Sequence, residues 1–207
     1  MKKSDKSKLT RDKIFRAAGE CFALKGYSGC SMQDIAETAG VSKGALYGHF
    51  SSKEELFKAI IIGEHSRGAM RAKKAAEKGP YIEAVITYMK ECIQDFGFPV
   101  DHRLWIEALA VSSRDEVMRQ AFMESEKEAR GFFKQLIRKG IETGEIDAGI
   151  DVDGISILLF ALGDGLIARI ADDPEYDFQK HFGVFEAVVR NTLRNAGRTI
   201  GHKEENK

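Results

Sequence analysis

Between Ser31 and Lys53 the chain reads SMQDIAETAGVSKGALYGHFSSK, and its polar side chains are of the kinds that hold phosphates and base edges. Ser42, Lys43, Gly44 and Ala45 supply a hydroxyl, a cation and two side chains too small to obstruct an approaching backbone. If a helix starts there, its free amide groups favour a phosphate, and Lys43 can reach a phosphate or a base edge. Tyr47 lies one turn further on. His49 and Lys53 follow where a helix leaving a groove passes the sugar-phosphate backbone, and Tyr47 and His49 offer hydrogen bonds to phosphate oxygens.

Bond-breaking chemistry has less support. Gly163-Asp164-Gly165-Leu166-Ile167-Ala168 spells GxGxxA, but a dinucleotide fingerprint must follow a strand and open a helix, and this one lies inside a helical pattern. His49, His65, His102, His181 and His202 show no HxxxH or HExxH spacing, and neither a GxSxG nor a P-loop string occurs. The chain is therefore not expected to be an enzyme, and no metal or cofactor is expected. Cys21, Cys30 and Cys92 are odd in number with no CxxC pair, which suits a reducing cytoplasm. Cys30, beside the binding segment, is read as a buried, idle thiol rather than a redox sensor.

The elements that must position these residues are helices. Thr10 can cap a helix carrying Ile14, Ala18, Cys21 and Phe22 on one face, ended near residue 25 by Lys25-Gly26. The first eight residues, polar and Lys-rich, read as a mobile basic arm. Ser31 and Asp34 form a capping box for a short helix with Ile35, Ala36 and Ala39 inward. Gly40 can take the positive φ of a sharp inter-helix turn, Val41 plugs the angle, and Ser42 caps a third helix carrying Leu46 and Phe50.

A longer helix begins near Lys53 with Leu56, Phe57, Ile60 and Ile61, and ends by Lys78-Gly79-Pro80. Helical spacing then recurs at Ile82, Val85, Ile86, Met89 and Ile93, around Trp105 and Leu109, and from Asp115 to about Thr143. Ile155 to Ile170 is apolar almost all round, and Phe178, Phe182, Phe185, Val189 and Leu193 stripe a last helix before a polar tail. No repeat and no convincing strand pattern appears, so the reading is all-α, with about nine helices.

The 207 residues, 43% of them hydrophobic, can bury a core in one domain or two. Net charge is zero, yet residues 1–53 hold ten Lys/Arg against five Asp/Glu, leaving the remainder at −5. The positive end is the candidate anion-binding end. The longest apolar stretch, Ile155 to Leu162, is far short of the roughly 20 residues that span a bilayer, so a soluble, cytoplasmic protein without a membrane partner is expected.

With glycine, capping serine, lysine and the aromatic positions in register, Ser31–Lys53 resembles the helix-turn-helix of the TetR family of bacterial regulators. The resemblance rests on Ile35-Ala36, the run from Ala39 to Gly44, Leu46-Tyr47, His49-Phe50, Lys53 and Leu56, preceded by Phe22, Gly26-Tyr27 and Ser31. It implies that the helix from about Ser42 to Phe50 reads the major groove, while Ser31, Gln33, Tyr47, His49 and Lys53 contact the backbone or flanking bases. Further on, Gly144-Glu145-Ile146 leading into an apolar helix with Gly165-Leu166 is similar to the family's penultimate helix. In the family that helix and the last one, here about Asp153–Ala171 and Phe178–Asn195, form a dimer's four-helix interface.

The expected architecture is thus a three-helix DNA-binding domain over residues 1–52 and a six-helix ligand-binding and dimerisation bundle over 53–207. The function this implies is a ligand-responsive repressor, binding double-stranded DNA at an inverted-repeat operator as a homodimer and released by a partly apolar small-molecule effector. The alternative is a ligand-independent helical protein-interaction module. Met89, Trp105, Phe122 and Phe133 are the candidates for touching the effector.

Overall fold

The computed structural model describes residues 3–77, 79–97 and 99–199. Two residues of the expected basic arm, Lys78 of the expected helix stop, and the polar tail from residue 200 lie outside them. The described residues are all-α, in nine helices: α1 Lys3–Gly29, α2 Met32–Ala39, α3 Lys43–Tyr47, α4 Lys53–Ala75, α5 Tyr81–Gln94, α6 His102–Arg114, α7 Glu116–Glu142, α8 Val152–Asp172 and α9 Phe178–Thr199.

Helix α1 starts at Lys3, not at the Thr10 cap, because nothing between residues 3 and 9 breaks a helix and both Ser and Lys tolerate one. Its regular part does end at Lys25: Gly26 sits at φ 70°, ψ 166°, outside the helical region, a conformation that favours glycine. Gly40 closes α2 in the left-handed region, and its N–H bonds back to the helix carbonyls.

The chain forms two compact units. One comprises Met1–Arg67 and Phe96–Lys127, the other Gly68–Asp95 and Glu128–Lys207. The first therefore holds α1 to α3, the start of α4, all of α6 and the start of α7, and extends past residue 52. Its core joins Ile14, Phe22, Ile35, Leu46, Leu56, Phe57 and Leu104, all buried, with the Phe22 and Phe57 rings edge to face at 5.1 Å. Helix α6 packs along α1.

In the second unit α5 packs against α8 and α9, around Val85, Ile93, Phe133, Leu136, Ile137, Val189 and Leu193. Arg190 lies on Glu83 and Glu186. The 21 residues of α8 reach a mean hydropathy of 1.7, so by length and composition this one helix could cross a membrane. Its Ile155, Leu159 and Ile167 face is buried in the unit, while Ile157 and Leu158 are each 58% exposed.

Candidate nucleic-acid interface

The helix-turn-helix is built on two caps. Ser31 Oγ accepts from the Asp34 N–H at 3.1 Å, and Asp34 Oδ2 accepts from the Ser31 N–H at 2.9 Å, the reciprocal box expected from the sequence. Lys25 at the end of α1 lies 2.8 Å from Asp34 Oδ1. That ammonium, and then the Ser31 hydroxyl and N–H, hold the Asp34 carboxyl well below the usual carboxylate range. At the second cap Ser42 Oγ accepts from the Ala45 N–H at 3.1 Å.

Between the caps, the Val41 N–H bonds to the Ala36 carbonyl at 3.0 Å, and Val41 is half-buried. The second helix is short: α3 spans five residues, Lys43–Tyr47, with Gly48 as its C-cap, against an expectation reaching Phe50. The chain turns after Gly48, where the His49 and Phe50 N–H groups both bond to the Leu46 carbonyl. Leu46 is fully buried, whereas Lys43, Gly44, Ala45 and Tyr47 are exposed, Tyr47 by 45%. A Cβ on Gly44 would meet nothing within 4 Å. Four consecutive-turn positions thus face outward from a helix pinned by one leucine, a geometry that lets a groove edge approach.

The other site residues are distributed around that helix. Ser31, Gln33 and Ser42 are exposed and His49 is half-buried. Gln33 Nε2 donates to Glu37 Oε1 at 2.6 Å, one turn further along α2, so it must rotate to meet a phosphate. Lys53 is turned back into the fold: its Nζ donates to the Tyr27 and Cys30 carbonyls at 2.6 and 2.8 Å and stands 4.4 Å from the Tyr27 ring centre. An ammonium has three donors, and these carbonyls take two of them. Arg11, which the sequence reading passed over, lies over the rings of Phe15 and Phe50 at 5.1 and 5.4 Å.

Cys30 is buried as expected, yet it is not an idle thiol. It forms a disulfide with Cys21, the Cα atoms 5.8 Å apart, because the turn at Gly26 folds the end of α1 back on itself. The nine-residue spacing gave no sign of this, since neither CxxC nor metal-ligand spacing is involved.

The four ligand candidates fall into two groups. Trp105 and Phe122 meet in the first unit with ring centres 5.6 Å apart, whereas Met89 and Phe133 belong to the core of the second. His65 joins the first pair, its ring 5.2 Å from Trp105 and 4.7 Å from Phe122. The sequence reading set His65 aside for lack of a paired histidine; its place on the inner face of α4 was the available signal. Among the described residues, no three of His, Cys, Asp and Glu gather as metal ligands would.

Comparison with known proteins agrees with this geometry. Residues 14–60 match the family of bacterial regulatory proteins described as tetR, and residues 94–195 match the C-terminal family of BetI-type transcriptional repressors. The chain is 31% identical over 166 residues to the HTH-type transcriptional regulator UidR of Escherichia coli, spanning 78% of this chain and 81% of that protein. It is 25% identical to the repressor AcnR of Corynebacterium diphtheriae, over 89% and 93% of the two chains. Among solved structures, Bacillus subtilis FadR in complex with stearoyl-CoA superposes with a TM-score of 0.69 at 25% identity, covering 87% of this chain and 96% of that one. Salmonella enterica GusR, at 23% identity over 89% and 95%, shares the fold with a TM-score of 0.75. A helix-turn-helix held by two serine caps, followed by a C-terminal helical region of the repressor type, identifies the chain as a DNA-binding transcriptional regulator belonging to the TetR family.

Proposed function

We propose that the protein is a homodimeric, ligand-responsive repressor of the bacterial cytoplasm. Two copies seat their α3 helices in successive major grooves of an inverted-repeat operator, about one helical turn apart, and a small, partly apolar molecule releases them. The observation that carries this reading is the outward face of α3, where Lys43, Gly44, Ala45 and Tyr47 are all exposed. In this reading residues 1–52 form the DNA-binding domain, with Ser31, Gln33, Tyr47, His49 and Lys53, the first residue beyond it, on the sugar-phosphate backbone or flanking bases, and residues 53–207 carry regulation and dimerisation.

Exposed apolar side chains support the dimer: Ile157 and Leu158 on α8, and Val184 and Val188 on α9, favour a partner helix over water. The stearoyl-CoA bound to Bacillus subtilis FadR supports a small-molecule effector, and Trp105 with Phe122, or Met89 with Phe133, are the aromatic and sulfur side chains offered to it. Repression is supported by the repressors among the matched proteins. By linkage, an effector that weakens operator binding binds the DNA-bound protein less well by the same factor.

Selection of bound duplexes from a random DNA pool tests the reading. An enriched inverted repeat is expected, with affinity falling steeply as salt rises. No enrichment at low salt, from folded protein, overturns it in favour of a protein-interaction module.

A further inference from the structure

The Cys21–Cys30 disulfide stands where the DNA-binding segment begins. Cys21 lies in the regular part of α1, whereas Cys30 lies outside any helix, between Gly29 at the end of α1 and Ser31, the N-cap of α2. The Cys30 carbonyl accepts from Lys53 Nζ at 2.8 Å, and Ser31 carries both halves of the capping box with Asp34. One covalent bond therefore holds the residue on which Ser31 and Lys53, two of the proposed DNA contacts, depend for their placement.

Its surroundings suit exchange. Cys21 and Cys30 are 5% and 1% exposed, but the segment they enclose includes the exposed Leu24, Lys25, Ser28 and Gly29. Local opening of that segment, without unfolding of the unit, brings the sulfurs to solvent. Cys30 is also placed to leave as a thiolate: it directly precedes the N-cap of α2, where free N–H groups favour negative charge, and the Lys53 ammonium rests on its carbonyl.

The exchange balances with small thiols alone. The thiolate of one small thiol attacks Cys21 Sγ, a new S–S bond forms, the Cys21–Cys30 bond breaks, and Cys30 departs as a thiolate. A second thiolate attacks the outer sulfur of the mixed disulfide and releases Cys21. Two small thiols become one small disulfide, their two protons end on Cys21 and Cys30, and the reverse sequence restores the bond. Unbonded sulfurs must stand further apart than bonded ones, and both lie in close-packed surroundings. Cys21 is held by its helix, so Cys30 is the one that yields, and it carries the Ser31 cap and the carbonyl that captures Lys53.

We propose that Cys21 and Cys30 form a thiol–disulfide exchange site for low-molecular-weight thiols and their disulfides, and that the closed form binds the operator more tightly than the open one. The assignment rests on the reading of Ser31 to Lys53 as the DNA-binding segment. The direction follows from the closed form, in which the capping box and the Lys53 anchor are all made. In the reducing cytoplasm proposed for this regulator, disulfides are rare, and those that occur mostly serve catalysis or redox sensing.

The test uses the full chain. Without DNA, the wild type is equilibrated in buffers of varied glutathione and glutathione disulfide, quenched with acid and alkylated, and peptide mass spectrometry reads the alkylated fraction of Cys21 and Cys30. A crossover from closed to open within these buffers is expected, with helix content by circular dichroism unchanged. On the selected operator, the reduced form should bind about fivefold or more weakly than the oxidised form, and saturating operator should favour the closed form by the same factor. Cys21→Ser, Cys30→Ser keeps Cys92 and is expected to ignore the reagents. A bond that stays closed in every buffer, or never forms, overturns the proposal, as do equal affinities of the two forms or a loss of helix on reduction. If selection yields no operator, the DNA reading itself falls and the proposal with it, and the alkylated fractions still show whether the pair exchanges.

Discussion

The carboxylate of Glu107 in α6 accepts the backbone N–H of Tyr27, 80 residues earlier in the chain. That N–H follows Gly26, whose φ of 70° takes the chain out of α1, and a Cβ on Gly26 would stand 3.3 Å from Glu107 Oε1. Glu107→Ala leaves this half-buried amide without its acceptor and is expected to lower the unfolding free energy by about 1–3 kcal/mol. Glu107→Gln, which keeps a carbonyl oxygen, should lose less. Urea unfolding of the three proteins side by side measures both, and coincident midpoints would mean that the bond contributes nothing.

On the outer face of α3, Lys43→Ala and Tyr47→Ala remove exposed side chains and should leave the thermal unfolding temperature nearly unchanged. Each is expected to weaken operator binding by about 1–3 kcal/mol, with Lys43→Ala also reducing the salt slope if its contact is a phosphate. Fluorescence anisotropy on the selected operator checks this. Undiminished affinity in both variants would remove α3 from the groove.

His65 makes stability depend on pH in a set direction. Burial lowers its folded pKa to about 4, against about 6.5 in an unfolded chain. Below pH 6.5 the unfolded state takes up a proton that the folded state refuses, so stability is lost as pH falls from about 6.5 to about 4. Between pH 7.5 and 5 the loss should be about 2 kcal/mol. His65→Leu should lack this component, and denaturant titrations of both proteins at the two pH values give the difference; parallel losses would rule out a neutral buried ring.

The Cys21–Cys30 disulfide closes a short loop at the entry to α2. Cross-links of this span restrict the unfolded chain by about 2–3 kcal/mol, so reductant should lower the unfolding temperature of the wild type. The double variant Cys21→Ser, Cys30→Ser should already unfold at the lower temperature and ignore reductant. A wild type equally indifferent to reductant would show that the pair does not stabilise the folded chain.

What the sequence revealed and what it hid divide by the range of the contacts involved. Ser31 with Asp34, Gly40 with Val41, and Ser42 with Ala45 act within a few residues, so the caps and the turn of the DNA-binding segment could be read directly. The apolar spacing of Val85, Met89 and Ile93, or of Phe185, Val189 and Leu193, likewise records one-sided burial. Glu107 on Tyr27, Ser125 on His65 and the grouping of Trp105 apart from Met89 depend on pairings over tens of residues, which leave no periodic trace. The length of α3 was overestimated because Phe50 is buried at helical spacing from Leu46, although the chain between them turns after Gly48. Lys53 was assigned outward from its type, whereas the carbonyls that capture it belong to a turn near residue 27.

Helix α3 is anchored by Leu46 alone among its five residues, and this separates two kinds of information in the chain. Positions 43, 44, 45 and 47 contribute almost nothing to the core, so they can be exchanged without disturbing the fold that presents them. If these positions read the operator as proposed, the protein can change its genomic address by a few substitutions while keeping its architecture intact. Such substitutions would carry little of the stability cost that usually slows the divergence of a binding surface.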